Sequence, residues 1–246
     1  MRPVYVLFGT PTWAAAGCSS DPKIGGGCAV YPDDPANWSA FTRAVATRYV
    51  GYRNSAGQGP VYEVWNEPPG SDIVYWRGTN AQLLDLGHRA WNAVKAATPN
   101  YKVVCCGWNR LAAKKDAAGA IDVWLSSGGA AHVDAVSYHP YPTDWTPSTA
   151  GDITKNFAKA LARHGVQKQL WATEVGFLNA WGKAARALTH ADQAALVTQT
   201  IDALQANNVP VVLWYPWDET HVGFADSNMV GLHRVVAEAV EAAKKR

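Results

Sequence analysis

Short apolar runs alternate with amphipathic stretches along this chain, and that alternation constrains the fold more than any single motif. The apolar runs are Pro3–Gly9, Val61–Asn66, Lys102–Gly107, Val133–Tyr138, Gln169–Thr173 and Val209–Trp214. They are near-continuous in apolar residues, as expected of strands buried on both faces. Between them lie helical patterns. Asp34 caps the first, with Pro35 at its first position, and Trp38, Phe41, Val45 and Tyr49 recur at helical spacing to about Val50. A second helix is predicted over Asn80–Ala97, with Leu84, Ala90, Trp91 and Val94 inward and Thr98-Pro99 stopping it. Others follow over Gly119–Ser126, Thr149–His164, from Thr189 to about Asn207, and Gly231–Lys245. A strict βα alternation means a parallel sheet covered by helices, in a TIM-type barrel or an open doubly wound sheet. No Gly-rich phosphate fingerprint follows any strand, which speaks against a nucleotide site.

Two of these strands end in a carboxylate. Val61–Pro69 reads V-Y-E-V-W-N-E-P-P, so Glu67 sits where Pro68 and Pro69 stop the ladder. Trp171–Gly176 reads W-A-T-E-V-G and delivers Glu174 in the same way. Two carboxyls at the carboxyl ends of parallel strands occupy the functional face of such folds, and glycoside hydrolysis requires such a pair. Glu63 competes on sequence, but it lies mid-strand and reads as a hydrogen-bonded core glutamate. His139 and Tyr141 follow the fourth strand, and Trp214 ends the last one. His139 also suits a packed loop histidine, and Asp218-Glu219 reads as a solvated loop.

With 246 residues, 48% apolar and 17% charged, the chain can bury a large core in one domain over 1–246. A net charge of +2 points to neither nucleic acid nor an anionic membrane. No apolar run approaches the roughly 18 residues of a membrane span. Twelve Trp and ten Tyr suit either a heavily packed core or stacking on sugar rings. Trp13, Trp108, Trp214 and Trp217 stand at strand ends, where stacking is the sharper reading. Cys18 and Cys28 bracket a Gly-rich loop and suit a disulfide, two free thiols being the alternative. Cys105 and Cys106 are adjacent on a strand, so their side chains are expected on opposite faces as small buried hydrophobes. Neither pair has zinc-site spacing, and His88, His132, His190 and His221 form no ligand-like pattern, so no metal or cofactor is expected. Met1-Arg2-Pro3 leads straight into V-Y-V-L-F without signal-peptide architecture. The Cys18/Cys28 loop and a sugar substrate nonetheless favour a secreted or periplasmic location.

Taken together, Pro11-Thr12-Trp13, Arg48-Tyr49, Tyr62–Pro68, His139-Pro140-Tyr141, Trp171–Gly176 and Trp214-Tyr215 resemble the clan A retaining glycoside hydrolases, above all family 39 and related exopolysaccharide hydrolases. The resemblance implies that Glu67 is the general acid/base and Glu174 the nucleophile. It implies that Asn66 binds the sugar 2-hydroxyl, that His139 and Tyr141 lie beside the nucleophile, and that Trp214 floors the sugar site. It also implies an oligo- or polysaccharide substrate with β linkages. The family pattern begins two βα units before this chain, so the expected fold is an incomplete barrel of six units, equivalent to strands 3–8. A truncated or mis-started chain, an open sheet and a pair of chains covering each other's gap are the three readings of that; a homodimer is the one predicted. The missing part carries an arginine that supports the nucleophile in the clan. The alternative function is therefore a catalytically impaired, carbohydrate-binding remnant.

Overall fold

A computed structural model describes residues 2–21, 26–68, 75–114, 119–142, 146–176 and 190–215. The predicted helix over 231–245 and the candidates Trp217 and Asp218-Glu219 lie outside the described residues. The chain divides into two compact units, Met1–Tyr138 with Ala160–Lys168, and His139–Lys159 with the described part of Gln169–Arg246.

The first unit holds β1 (Val4–Leu7), α1 (Pro35–Arg48), β2 (Val61–Val64), α2 (Asn80–Ala97), β3 (Lys102–Asn109), α3 (Ala120–Ser126) and most of β4 (Ala135–His139). Its strands are parallel where their register is defined: Val4–Leu7 pair with Val61–Val64, which pair in turn with Lys102–Cys105. All four residues of β2 are buried, Glu63 among them at 2% exposure. That is the burial of a strand covered on both faces.

Local chemistry sets the helix ends. The Asp34 carboxylate accepts the Ala36 N–H, and Pro35 opens α1. Thr79 and Gln82 form a reciprocal capping box at α2. Helix α1 packs on α2, and Trp38 Nε1 donates to the Leu86 carbonyl at 3.0 Å. The buried face of α2 is Leu83, Leu86, Gly87, Ala90, Ala93 and Val94. It differs from the expected face at Leu84 and Trp91, because the stripe is centred one residue earlier. At one end of the sheet Asp134 accepts from Lys95, Lys102 and the Val103 N–H. Asp122 on α3 is gripped by Arg163, through two nitrogens, and approached by His164 Nε2 at 3.1 Å.

In the second unit β5 (Gln169–Val175) pairs in parallel with β6 (Val212–Trp214). Helix α5 (His190–Gln205) connects them, and α4 (Pro147–Arg163) precedes β5. The last strand starts later than its apolar run suggests. Asn208 takes a left-handed φ of 60°, and the Val209 N–H still bonds back to Leu204, so the ladder begins beyond Pro210.

One sequence expectation is overturned on β3. Cys105 and Cys106 do not face apart as separate thiols; their sulfurs are bonded to each other. A covalent bond between neighbouring side chains overrides the alternation expected of free ones.

Candidate active site

The β2 end is shaped by backbone conformation. The strand stops at Val64 because Trp65 adopts a φ of 66°, and Glu67 a φ of 42°. Neither is glycine, and left-handed conformations at ordinary residues cost on the order of 1–3 kcal/mol each. The surroundings hold them there. Trp65 is fully buried, its N–H donates to the Leu7 carbonyl, and its Nε1 donates to the Tyr75 carbonyl at 2.8 Å. Its ring meets Trp76 and Phe8 edge-on, at 4.8 and 5.3 Å between centroids. The Glu67 N–H donates to the Gly107 carbonyl at the end of β3. The sharp turn leaves the Asn66 and Glu67 side chains partly exposed between two buried neighbours, Trp65 and Pro68. Strain of this kind, held by a rigid core, is characteristic of functional positions.

The β5 end carries the second carboxylate. The Glu174 side chain is 26% exposed, and the Tyr141 hydroxyl donates to its Oε2 at 2.7 Å. His139 is fully buried, with Nδ1 3.6 Å from the same oxygen and its ring edge-on to Tyr141. A hydroxyl donor and an imidazole beside one carboxylate oxygen fix the carboxylate's orientation.

Other sequence candidates fall in varied places. Trp13 stands on a 3-10 turn (Thr12–Ala14) with 75% of its surface exposed. The loop beside it is closed by a Cys18–Cys28 disulfide with 5.8 Å between Cα atoms, and an antiparallel bridge joins Thr10 to Cys28. Trp108 is 1% exposed and packs edge-on against Trp124, so it offers no open ring face for stacking. Trp214 is half-buried and paired with Val175. Two features take a shape that the sequence does not show. Tyr215, just beyond Trp214, is exposed and donates its N–H to the Val175 carbonyl. His88 and His132 stack at 4.3 Å between ring centroids, a contact made by the fold and invisible in their spacing. They help line a cavity of about 190 Å³ between α2 and residues 127–133, which does not include the end of β2. Among the described residues no three His, Cys, Asp or Glu side chains are grouped to hold a metal ion. No described helix is long and apolar enough to cross a membrane.

No family model matches the sequence. A β-xylosidase of Caldicellulosiruptor saccharolyticus is 30% identical over 105 residues, which make up 40% of this chain and 19% of that protein. In structure, a family 39 β-xylosidase from Caulobacter crescentus superposes with a TM-score of 0.63 at 16% identity, covering 96% of this chain and 55% of that one. The family 39 enzyme from Xanthomonas axonopodis pv. citri gives 0.62 at 17% identity, covering 88% and 44%. The chain thus spans about half the length of these structural relatives and less of the sequence relative. The neighbours have TIM-barrel glycosidase folds, and the chain shares the α/β architecture of the part it covers. In sequence the chain is similar to a β-xylosidase over 105 residues, and in fold it is similar to glycoside hydrolases of family 39.

Proposed function

We propose that this chain is a retaining glycoside hydrolase acting on β-linked oligo- or polysaccharides, with Glu174 as nucleophile and Glu67 as general acid/base. The observation that carries the reading is the Glu174 carboxylate at the end of β5, oriented by the Tyr141 hydroxyl at 2.7 Å. Glu174 attacks the anomeric carbon while Glu67 protonates the departing glycosidic oxygen, leaving a glycosyl ester on Glu174. Glu67, now ionised, takes a proton from water, which attacks the same carbon and releases the sugar with its configuration retained. The reaction needs the two carboxyls about 5–5.5 Å apart. Asn66 binds the sugar 2-hydroxyl, and Trp13, Trp217 and an aromatic from the end of β6 supply stacking surface. The chain works as one catalytic α/β domain over 1–246. Val6, 46% exposed on a strand of a type normally covered on both faces, supports association of two chains along β1. Sedimentation of the protein as a monomer at assay concentration would remove that element.

The alternative reading is a carbohydrate-binding chain without turnover. Proton NMR of a β-xyloside or β-glucoside digest separates the two. The enzyme reading expects the β-anomer to appear first and then mutarotate. An α-anomer first excludes a retaining mechanism, and binding without hydrolysis favours the alternative.

A further inference from the structure

We infer that the pocket between α2 and residues 127–133 is a binding site for a small neutral phenol, with the ring on its apolar floor and the hydroxyl at the His88–His132 pair. Neither Glu67 nor Glu174 is among its lining residues, so the site is separate from the proposed chemistry. The pocket holds about 190 Å³. An apolar cavity of roughly 150 Å³ is already enough for a benzene ring. Its floor is formed by Gly87, Cys105, Trp124 and Val133, all buried. Its rim carries Asp85, His88, Ser127 and His132, all at least partly exposed. Leu84, expected in the core, lines the pocket instead. A wet polar rim over a dry floor selects a ligand with one apolar face and one polar end.

Two glycines shape the floor. Gly87 lies in the interior of α2, where glycine is less favourable than alanine. No close packing demands it there. A Cβ at Gly87 would meet nothing within 4 Å among the described residues beyond its own helix. The helix therefore gives up stability at a buried position and leaves room beside it. Gly129 acts differently: a Cβ there would stand 2.1 Å from Cε2 of Trp124, so any side chain would push the indole from the floor. The rim sets the charge of the ligand. Asp85 accepts from the Tyr31 hydroxyl and from Arg89. An anion at the rim would meet that carboxylate, and a cation would have to compete with Arg89 for it. The His88 and His132 rings lie 4.3 Å apart between centroids, and Trp91 meets His132 edge-on. Burial, with the charge of His88 adding to it, pushes the His132 imidazole below its ordinary value. Near neutral pH it is uncharged, and a neutral imidazole has one nitrogen that accepts a hydroxyl proton. An aromatic ring with one hydroxyl meets both demands, and a carboxylate or an ammonium group does not.

The test titrates the whole chain near neutral pH with phenol, toluene, benzoate and benzylammonium, followed by NMR. Gly87→Leu and Leu84→Trp fill the pocket from two sides, and His132→Phe keeps a ring while removing the acceptor. Folding of each variant is checked by circular dichroism. Phenol is expected to bind the wild type with a Kd of about 1 mM or below, and the other three probes at least about threefold more weakly. Each filling variant is expected to weaken phenol by about tenfold or more. His132→Phe is expected to weaken phenol by about threefold or more and to leave toluene within about twofold. If Gly87→Leu does not fold, Leu84→Trp carries the same expectation. No phenol binding by the wild type, or phenol binding unchanged in the folded filling variants, overturns the site. Benzoate or benzylammonium binding as tightly as phenol overturns the neutral ligand. Toluene binding as tightly as phenol, or no loss of phenol in His132→Phe, overturns the hydroxyl contact at the imidazole pair.

Discussion

The Tyr141 hydroxyl donates to Glu174 Oε2 at 2.7 Å, and the buried His139 imidazole approaches the same oxygen to 3.6 Å. The three side chains come from two strand ends, β4 and β5, separated by a whole helix in the chain. A hydrogen bond to a charged group contributes about 1.5–3 kcal/mol, and every 1.4 kcal/mol is a factor of ten. Tyr141→Phe is accordingly expected to lower kcat by about 10- to 100-fold with a smaller change in KM. Steady-state kinetics on aryl β-glycosides check this, and an unchanged kcat counts against Tyr141 as the orienting donor.

Glu67 lies on a turn whose left-handed backbone turns a carboxylate out of a buried aromatic cluster. If it donates the proton to the leaving group, Glu67→Gln slows hydrolysis of poor leaving groups by roughly 10²- to 10⁴-fold. The loss shrinks sharply for a dinitrophenyl glycoside, whose phenolate departs unaided. Equal losses for both leaving groups contradict the acid role.

The disulfide Cys18–Cys28 closes a short loop and holds the segment that follows β1, where Trp13 stands exposed. Removing it with a Cys18→Ser/Cys28→Ser double variant is expected to destabilise the protein by about 2–3 kcal/mol in the chain-entropy model. Differential scanning calorimetry of the double variant measures the loss directly, with no reductant to disturb Cys105–Cys106.

Three carboxylates make stability depend on acid. Burial pushes the Asp134 carboxyl upward, yet bonds from Lys95, the Val103 N–H and Lys102 outweigh it and hold it below the ordinary range. Burial likewise raises Asp122, and bonds from Arg163, His164 and the Gly119 N–H bring it below its usual value. Asp85 behaves in the same way, through Tyr31 and Arg89. Each group is lower in the folded state, so the unfolded chain takes up protons first as pH falls. Their stabilisation is full above the ordinary carboxylate value near about 3.9 and is lost as pH drops through the lowered folded values. Thermal melts from about pH 6 to 2 should show that decline, and Asp134→Asn should be less stable at neutral pH with a shallower acid limb.

Much of this architecture is written in local chemistry. Continuous apolar runs mark the strands, and Asp34-Pro35 and Thr79–Gln82 mark helix starts, because caps and buried strands depend on neighbours close in sequence. The strand-end position of both glutamates is legible for the same reason. What is not legible depends on tertiary packing. Trp65 turns left-handed because Trp76, Phe8 and the Tyr75 carbonyl seat its ring. The extra residue near Glu174 exists only as a mismatch between two strands far apart in sequence. The Cys105–Cys106 bond is a covalent link that the alternation of free side chains does not anticipate.

The central claim is that Glu174 forms a covalent bond to sugar, and trapping that bond tests it most directly. The protein is incubated with activated 2-deoxy-2-fluoro-β-glycosides, the xyloside first, then measured by intact mass and peptide mapping. The account predicts a gain of one fluorosugar on the peptide containing Glu174, with loss of activity in step. A label on any other residue, or sustained hydrolysis with no label at Glu174, would contradict it.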